Sequence, residues 1–245
     1  MSLDFAQFKY LTFDCYGTLI DWESGILGAL RPILNGYNKV LSDADILNFY
    51  AELESAIESG EFKLYREVLK DVVRGFGARL NFTPTQQEIE SLPESLKNWL
   101  PFADTVPALR SLARHYKLCV ISNIDDDLFA NTARHLEVPF HVVVTALQAG
   151  SYKPSNNNFE LALKKIGAPS EQLLHVAESL FHDIAPARAL GIKSVWVDRS
   201  KGKSGRASRL AEIRPDLEVP DLKTLAELVE RNLINPRGHK GTKEN

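Results

Sequence analysis

Apolar and polar positions follow two distinct rhythms along this chain. Residues 8–14, Phe-Lys-Tyr-Leu-Thr-Phe-Asp, form a short, mostly apolar run that reads as a β-strand ending in Asp14. From about Trp22 to Leu100 apolar residues recur at helical spacing and almost no strand signal remains. This stretch predicts helices near 22–35, 43–59, 61–79 and 85–99. Two of the helix starts carry chemical marks. Ser42-Asp-Ala-Asp45 has an acidic first turn, and Thr85-Gln-Gln-Glu88 supplies the hydroxyl and carboxylate of a capping box. After Pro101 strands and helices alternate. Short apolar strands are predicted at Lys117–Ile121, His141–Thr145, Leu173–Ala177 and Ser194–Val197, and helices near 105–115, 126–136, 156–166, 182–190 and 222–233. Arg199–Arg209, rich in Lys, Arg, Ser and Gly, reads as an exposed loop.

Alternating strands and helices predict an α/β fold, an open parallel sheet covered on both faces. The layout is one α/β domain, residues 1–20 and 101–234, interrupted by an all-helical insertion at 21–100 and followed by a flexible tail at 235–245. Ligands of open parallel sheets bind outside the carboxyl ends of the strands. An insertion leaving the end of the first strand is therefore expected to hang over that site as a cap.

Composition narrows the partners. The 245 residues balance 29 basic against 32 acidic side chains, a net charge of −3, so no strong field favours nucleic acid or an anionic membrane. No apolar run approaches the ~20 residues that cross a bilayer. Met1–Lys9 lacks the basic stretch and apolar core of a signal peptide, and the two cysteines, Cys15 and Cys119, suit a reducing cytoplasm. A cysteine-based metal site is excluded on number alone.

The residues able to carry chemistry share one position, the end of a strand or the loop after it. They are Asp14, Ser122-Asn123, Lys153, and Glu178 with Asp183. A parallel sheet brings these ends together. Asp14 is a carboxylate nucleophile candidate. Thr18, Ser122 and Asn123 are small hydrogen-bonding groups suited to a carboxylate or phosphate oxygen, although Ser122-Asn123 can equally cap the helix opened by Asp125-Asp126-Asp127. Tyr16 is a poor acid at neutral pH, since an ordinary tyrosine titrates near ~10; it can line an apolar wall or donate a hydrogen bond. His175 and His182 suit core or supporting roles better than metal binding. Cys15 is expected to point away from the nucleophile into packing.

The motifs Phe-Asp-Cys-Tyr-Gly-Thr-Leu (13–19), Val-Ile-Ser-Asn (120–123), Gly-Ser-Tyr-Lys-Pro (150–154) and His-Val-Ala-Glu-Ser-Leu-Phe-His-Asp (175–183) occur in an order that resembles the haloacid dehalogenase superfamily. Tyr16 makes the chain similar to the 2-haloacid dehalogenase branch, where phosphatases usually carry a second Asp. The resemblance implies a Rossmann-like core, a helical cap, and an aspartate, here Asp14, that forms an ester intermediate. It implies that Lys153 orients the nucleophile and that Asp183 pairs with it or orients the attacking water. Tyr16, Thr18, Ser122 and Asn123 would then contact a small anionic substrate, and no cofactor is needed. The alternative is a phosphatase of a small phosphomonoester, with Mg²⁺ held by Asp14, Glu178 and Asp183. A catalytically weak binding protein on the same scaffold is the third class, and a homodimer is compatible with the resemblance. Two features depart from the pattern. Glu178 stands where phosphatases usually have Asp and dehalogenases a neutral residue. The stretch Ile46–Tyr50 contains no arginine to receive halide, which leaves Arg31, Arg66, Arg74 and Arg79 as candidates, while Trp22 lines the pocket or packs the hinge.

Overall fold

The computed structural model describes residues 3–199 and 213–234. After a 3₁₀ turn at Phe5–Gln7, β1 (Tyr10–Phe13) is followed by four helices: α1 (Trp22–Gly36), α2 (Asp43–Glu58), α3 (Tyr65–Leu80) and α4 (Gln86–Ser95). Then come α5 (Thr105–Leu112), β2 (Lys117–Ser122), α6 (Asp126–Leu136), β3 (Val142–Thr145), a single turn α7 (Ala146–Ala149) and α8 (Asn156–Ile166). The chain continues through β4 (Leu173–Ala177), a π turn at Leu180–Ile184 running into α9 (Ala185–Ala189), β5 (Lys193–Val197), β6 (Leu217–Val219) and α10 (Leu222–Ile234).

The strands form one parallel sheet in the order β3-β2-β1-β4-β5-β6. The path runs outward from β1 through β2 to β3, crosses back to β4, and continues outward on the other side. The direction of winding therefore reverses between β1 and β4. Helices that leave adjacent strand ends on opposite faces open a crevice at such a point. Asp14 and the residues after β4 stand at that crevice. Both faces of the sheet are buried. Leu11, Phe13, Val120 and Val176 join the larger core, whereas Cys119, Ile121, Val144 and Leu173 pack with Phe159 and Ile166 of α8.

The helical segment leaves the sheet at Ile20 and returns beside it at Pro101, where the two residues form an antiparallel bridge and the Asp21 N–H donates to Leu100 O at 2.9 Å. Ser42 caps α2, and Thr85 and Glu88 make both halves of the capping box on α4. Helix α3 begins at a residue that cannot cap, Leu64. Its free N–H groups are met from the sheet domain, where buried Asp125 accepts from Tyr65 N–H at 2.9 Å and Arg66 N–H at 3.0 Å. This contact ties the start of α3 to the loop after β2.

Three expectations change. Strand β6 escapes the hydrophobic pattern, because its three residues, Leu217–Val219, are too short a run for their alternation to stand out between Pro215 and Pro220. The helix expected at 182–190 begins earlier, as the π turn that carries Asp183. Arg199 is not an exposed loop charge: its side chain is 12% accessible and its guanidinium stacks on Phe102 at 3.8 Å. The rest of the expected loop, 200–209, and the tail from Asn235 lie outside the described residues. Among the described residues, no helix is long and apolar enough to cross a membrane.

Candidate active site

Asp14 follows β1 directly, its N–H still on the sheet at Val176 O, 3.1 Å away. The chain must then turn sharply. Gly17 does so at φ +96°, and a Cβ there would stand 3.0 Å from Trp22 Nε1, so both conformation and space demand glycine. The turn places Thr18 back over Asp14. Its Oγ1 donates to Asp14 Oδ2 at 2.7 Å and accepts the Glu178 N–H at 2.9 Å, joining the ends of β1 and β4.

Lys153 is 2% exposed. Its ammonium spends its three protons on Asp14 Oδ1 at 2.8 Å, Asp183 Oδ1 at 2.7 Å and Ile121 O at 3.0 Å. Asn123 holds the same lysine by its backbone, accepting its N–H at 2.7 Å and donating to its carbonyl at 3.2 Å. Both ends of the Asn123 amide are thus bonded to the Lys153 backbone. Ser122, beside it, is different. Its Oγ is buried and, alone among the described buried side-chain polar atoms, has no hydrogen-bond partner. Such a group is costly unless something completes it.

Charge is unequally divided in this cluster. Burial pushes the Asp14 carboxyl above the usual range, with the nearby Asp183 charge adding to it and Lys153 opposing. Burial also acts on Asp183, but Lys153 and the bond from His175 outweigh it and hold that carboxyl below the usual range. Burial works against the Lys153 charge, yet the two carboxylates prevail and raise its pKa. Two acids and one ammonium therefore form one tightly balanced unit.

Tyr16 is held by Thr132 and Trp99. Its hydroxyl bonds Thr132 Oγ1 at 2.7 Å, its ring meets Trp99 edge-on at 6.0 Å, and burial pushes its hydroxyl well above the ordinary tyrosine value. The Glu178 carboxylate lies beside Gly17, with Oε2 3.7 Å from the place a Cβ there would take. Among the described residues no three His, Cys, Asp or Glu side chains converge as a metal-holding group. Asp14 and Asp183 each give one oxygen, Oδ1, to the Lys153 ammonium.

The four arginines considered for the insert are all paired with acids, Arg31 with Asp43, Arg66 with Asp125 and Asp127, Arg74 with Asp71, and Arg79 with Glu52. What the insert presents instead is a tyrosine–glutamate cluster. Tyr50 and Tyr65 bond each other at 2.9 Å and share Glu54, and Trp22 packs on Tyr50 with ring centroids 5.8 Å apart. Beside it, burial and the neighbouring Glu54 push Glu58 up to about 9 against the pull of Lys153.

Three supporting residues were not assigned these contacts from sequence. Asp125 stands at the start of α6, but its side chain serves α3. Arg199 donates twice to Thr18 O, at 2.9 and 2.6 Å, and once to Asp104 at 3.0 Å, bracing the turn after Asp14. His175 touches Asp183 directly. Asp125 and Arg199 reach partners 60 and 181 residues away, which no local motif announces, whereas His175 and Asp183 are the two ends of one motif.

A protein-family model described as haloacid dehalogenase-like hydrolase matches residues 8–191. The (S)-2-haloacid dehalogenase of Pseudomonas sp. (strain YL) is 25% identical over 237 residues, covering 91% of this chain and 94% of that protein. The 5-amino-6-(5-phospho-D-ribitylamino)uracil phosphatase YigB of Escherichia coli is 26% identical over 240 residues, covering 91% and 97%. Among solved structures, the L-2-haloacid dehalogenase of Xanthobacter autotrophicus with chloropropionic acid covalently bound superposes with a TM-score of 0.76 at 19% identity, covering 91% of this chain and 98% of that one.

Proposed function

The chain belongs to the haloacid dehalogenase-like hydrolases, and we propose that within them it displaces halide from small 2-haloalkanoic acids, with Asp14 as nucleophile. The observation that carries this reading is Tyr16. An alkoxide leaving group needs a proton, and phosphatases of this superfamily usually take it from an acid two residues after the nucleophile. Here that position holds a phenol bonded to Thr132 and made less acidic by burial. A halide is a weak base and leaves without a proton.

The proposed sequence of events uses the contacts described above. Lys153 and Thr18 fix the two oxygens of Asp14. Asp14 attacks the carbon bearing the halogen, the carbon–halogen bond breaks with its electron pair, and an ester forms. Water then adds to the aspartyl carbonyl carbon with Asp183 as base, and the 2-hydroxy acid departs. Ser122 Oγ is the donor for the substrate carboxylate. The helical segment 21–100 acts as a cap that closes over the crevice and excludes bulk water. The halide is received without an arginine, which sets this chain apart from the pattern of its resemblance.

Ser122→Ala is expected to lower kcat/KM on 2-chloropropionate by roughly 10- to 100-fold, mainly through KM, which is the loss of one hydrogen bond to a charged group. Thermal stability should not fall, since Ser122 Oγ has no partner to lose. Steady-state kinetics and a melting curve check both halves.

A phosphatase reading is favoured by two observations, the likeness to YigB and the carboxylate of Glu178 beside the nucleophile turn. It requires Mg²⁺ to offset phosphate beside acidic groups. Halide and phosphate release measured side by side, with EDTA and with Mg²⁺, separates the two. The proposal expects halide release that survives EDTA. Mg²⁺-dependent phosphate release, with no halide from any 2-haloacid, contradicts it.

A further inference from the structure

One layer below the nucleophile, the face of the sheet toward α8 is interrupted by a polar row. Thr12 of β1 and His175 of β4 are register partners, and Ser194 of β5 is the next. Thr12 and His175 are 0% exposed and Ser194 1%, among Cys119, Ile121, Leu173 and Phe159. Buried polar groups in such a setting are expensive unless they are bonded.

The bonds show what the histidine holds. Its Nε2 lies 3.0 Å from Asp183 Oδ1 and its Nδ1 2.9 Å from Thr12 Oγ1. A carboxylate only accepts, so Nε2 carries the proton toward Asp183. The Thr12 hydroxyl can then donate to Nδ1 and fix that tautomer. On its other side the ring meets Phe159 edge-on at 5.0 Å. The imidazole is thus clamped from three directions and aimed at one oxygen of Asp183. Lys153 donates to that same oxygen, so neither bond occupies Oδ2.

We propose that His175, oriented by Thr12, is a positioning residue for ester hydrolysis, fixing Asp183 so that it takes the proton of the attacking water. The inference rests on the dehalogenase reading above. In the first half-reaction Asp14 attacks carbon and halide leaves, and Asp183 moves no proton. In the second, water oxygen bonds to the aspartyl carbonyl carbon while one water proton passes to Asp183. The bond from that carbon to the alkyl oxygen then breaks. The alkyl oxygen takes the proton back from Asp183, and the second water proton is released as Asp14 returns to carboxylate. Once Asp14 is esterified it carries no charge, and Lys153 pairs with Asp183 alone. The hydrogen bond from His175 Nε2 then holds Asp183 against rotation toward that ammonium.

The test compares the two half-reactions. With 2-chloropropionate in rapid-quench experiments, His175→Leu should release one equivalent of halide per site at nearly the wild-type rate. Turnover should then slow by about 100-fold, the lower end of what a general base contributes. Intact-protein mass should show the ester accumulating on Asp14. His175→Gln, which keeps a donor near the Nε2 position, should restore most of the turnover. Thr12→Val should slow ester hydrolysis several-fold and leave the burst intact, and it serves as the decisive variant if His175→Leu does not fold. A loss in which both half-reactions slow together, with no burst and no adduct, would reduce His175 to a structural residue. Unchanged turnover in a folded His175→Leu protein would remove it from the mechanism. If wild-type protein forms no ester at all, it is the dehalogenase reading that fails.

Discussion

An Asp14→Asn protein is expected to fold like the wild type and to lose at least about 10⁴-fold in kcat, within the range seen when a nucleophile is removed. The amide is nearly the same size, and Lys153 keeps Asp183 and the Ile121 carbonyl as partners. Chemistry suffers because a neutral amide oxygen is a feeble nucleophile at carbon. The wild-type pH profile should carry the same signature. Burial raises the Asp14 carboxyl above its usual value, so activity should fall as pH drops through that raised value rather than through ~4. Circular dichroism, steady-state kinetics and a pH profile of kcat/KM test the set. Retention of even a tenth of wild-type turnover by the variant would exclude Asp14 as nucleophile.

Lys153→Met should cost more in stability than any other single change at this site. It removes the ammonium shared by Asp14 and Asp183, which are 7% and 1% exposed, and leaves two buried carboxylates facing each other. Stranding a buried charge in this way costs about 3–5 kcal/mol. In wild-type protein the lowered pKa of Asp183 contributes stability at neutral pH that is lost as pH falls through it. The variant should show the opposite trend. Its unpaired carboxyls are raised, and acidification relieves them, so the gap between the two proteins should narrow at low pH. Urea unfolding at neutral and mildly acidic pH measures this gap. An equal gap at both values would mean that the lysine does not carry the two charges.

The repeating parts of the molecule were open to reading from sequence. Helical periodicity from Trp22 to Leu100 and the apolar runs ending at Ser122 and Ala177 reflect burial against one partner layer, which leaves a regular mark. The strand ends that gather at the crevice follow from parallel winding, so Asp14, Ser122, Lys153 and Asp183 stand together as the α/β pattern implies. What stayed hidden depends on contacts distant in sequence. Arg199 opens a stretch rich in Lys, Ser and Gly, yet its guanidinium lies under Thr18. Asp125 sits at a helix start in the sequence but caps a helix 60 residues away, at Tyr65. Asn123 and Ser122 are neighbours of similar chemistry, and only the fold shows that one grips Lys153 while the other remains without a partner. Arginines of the insert look available until their acidic partners are known.

The most direct test of the account is a single turnover of excess enzyme on 2-chloropropionate in H₂¹⁸O, followed by peptide mass spectrometry and analysis of the product. The account predicts ¹⁸O in the Asp14 carboxylate and unlabelled oxygen in the 2-hydroxy acid, because water attacks the aspartyl carbon and the alkyl group keeps the oxygen of Asp14. Label in the product with none in Asp14 would mean that water displaces the halide directly, and the ester mechanism would be contradicted.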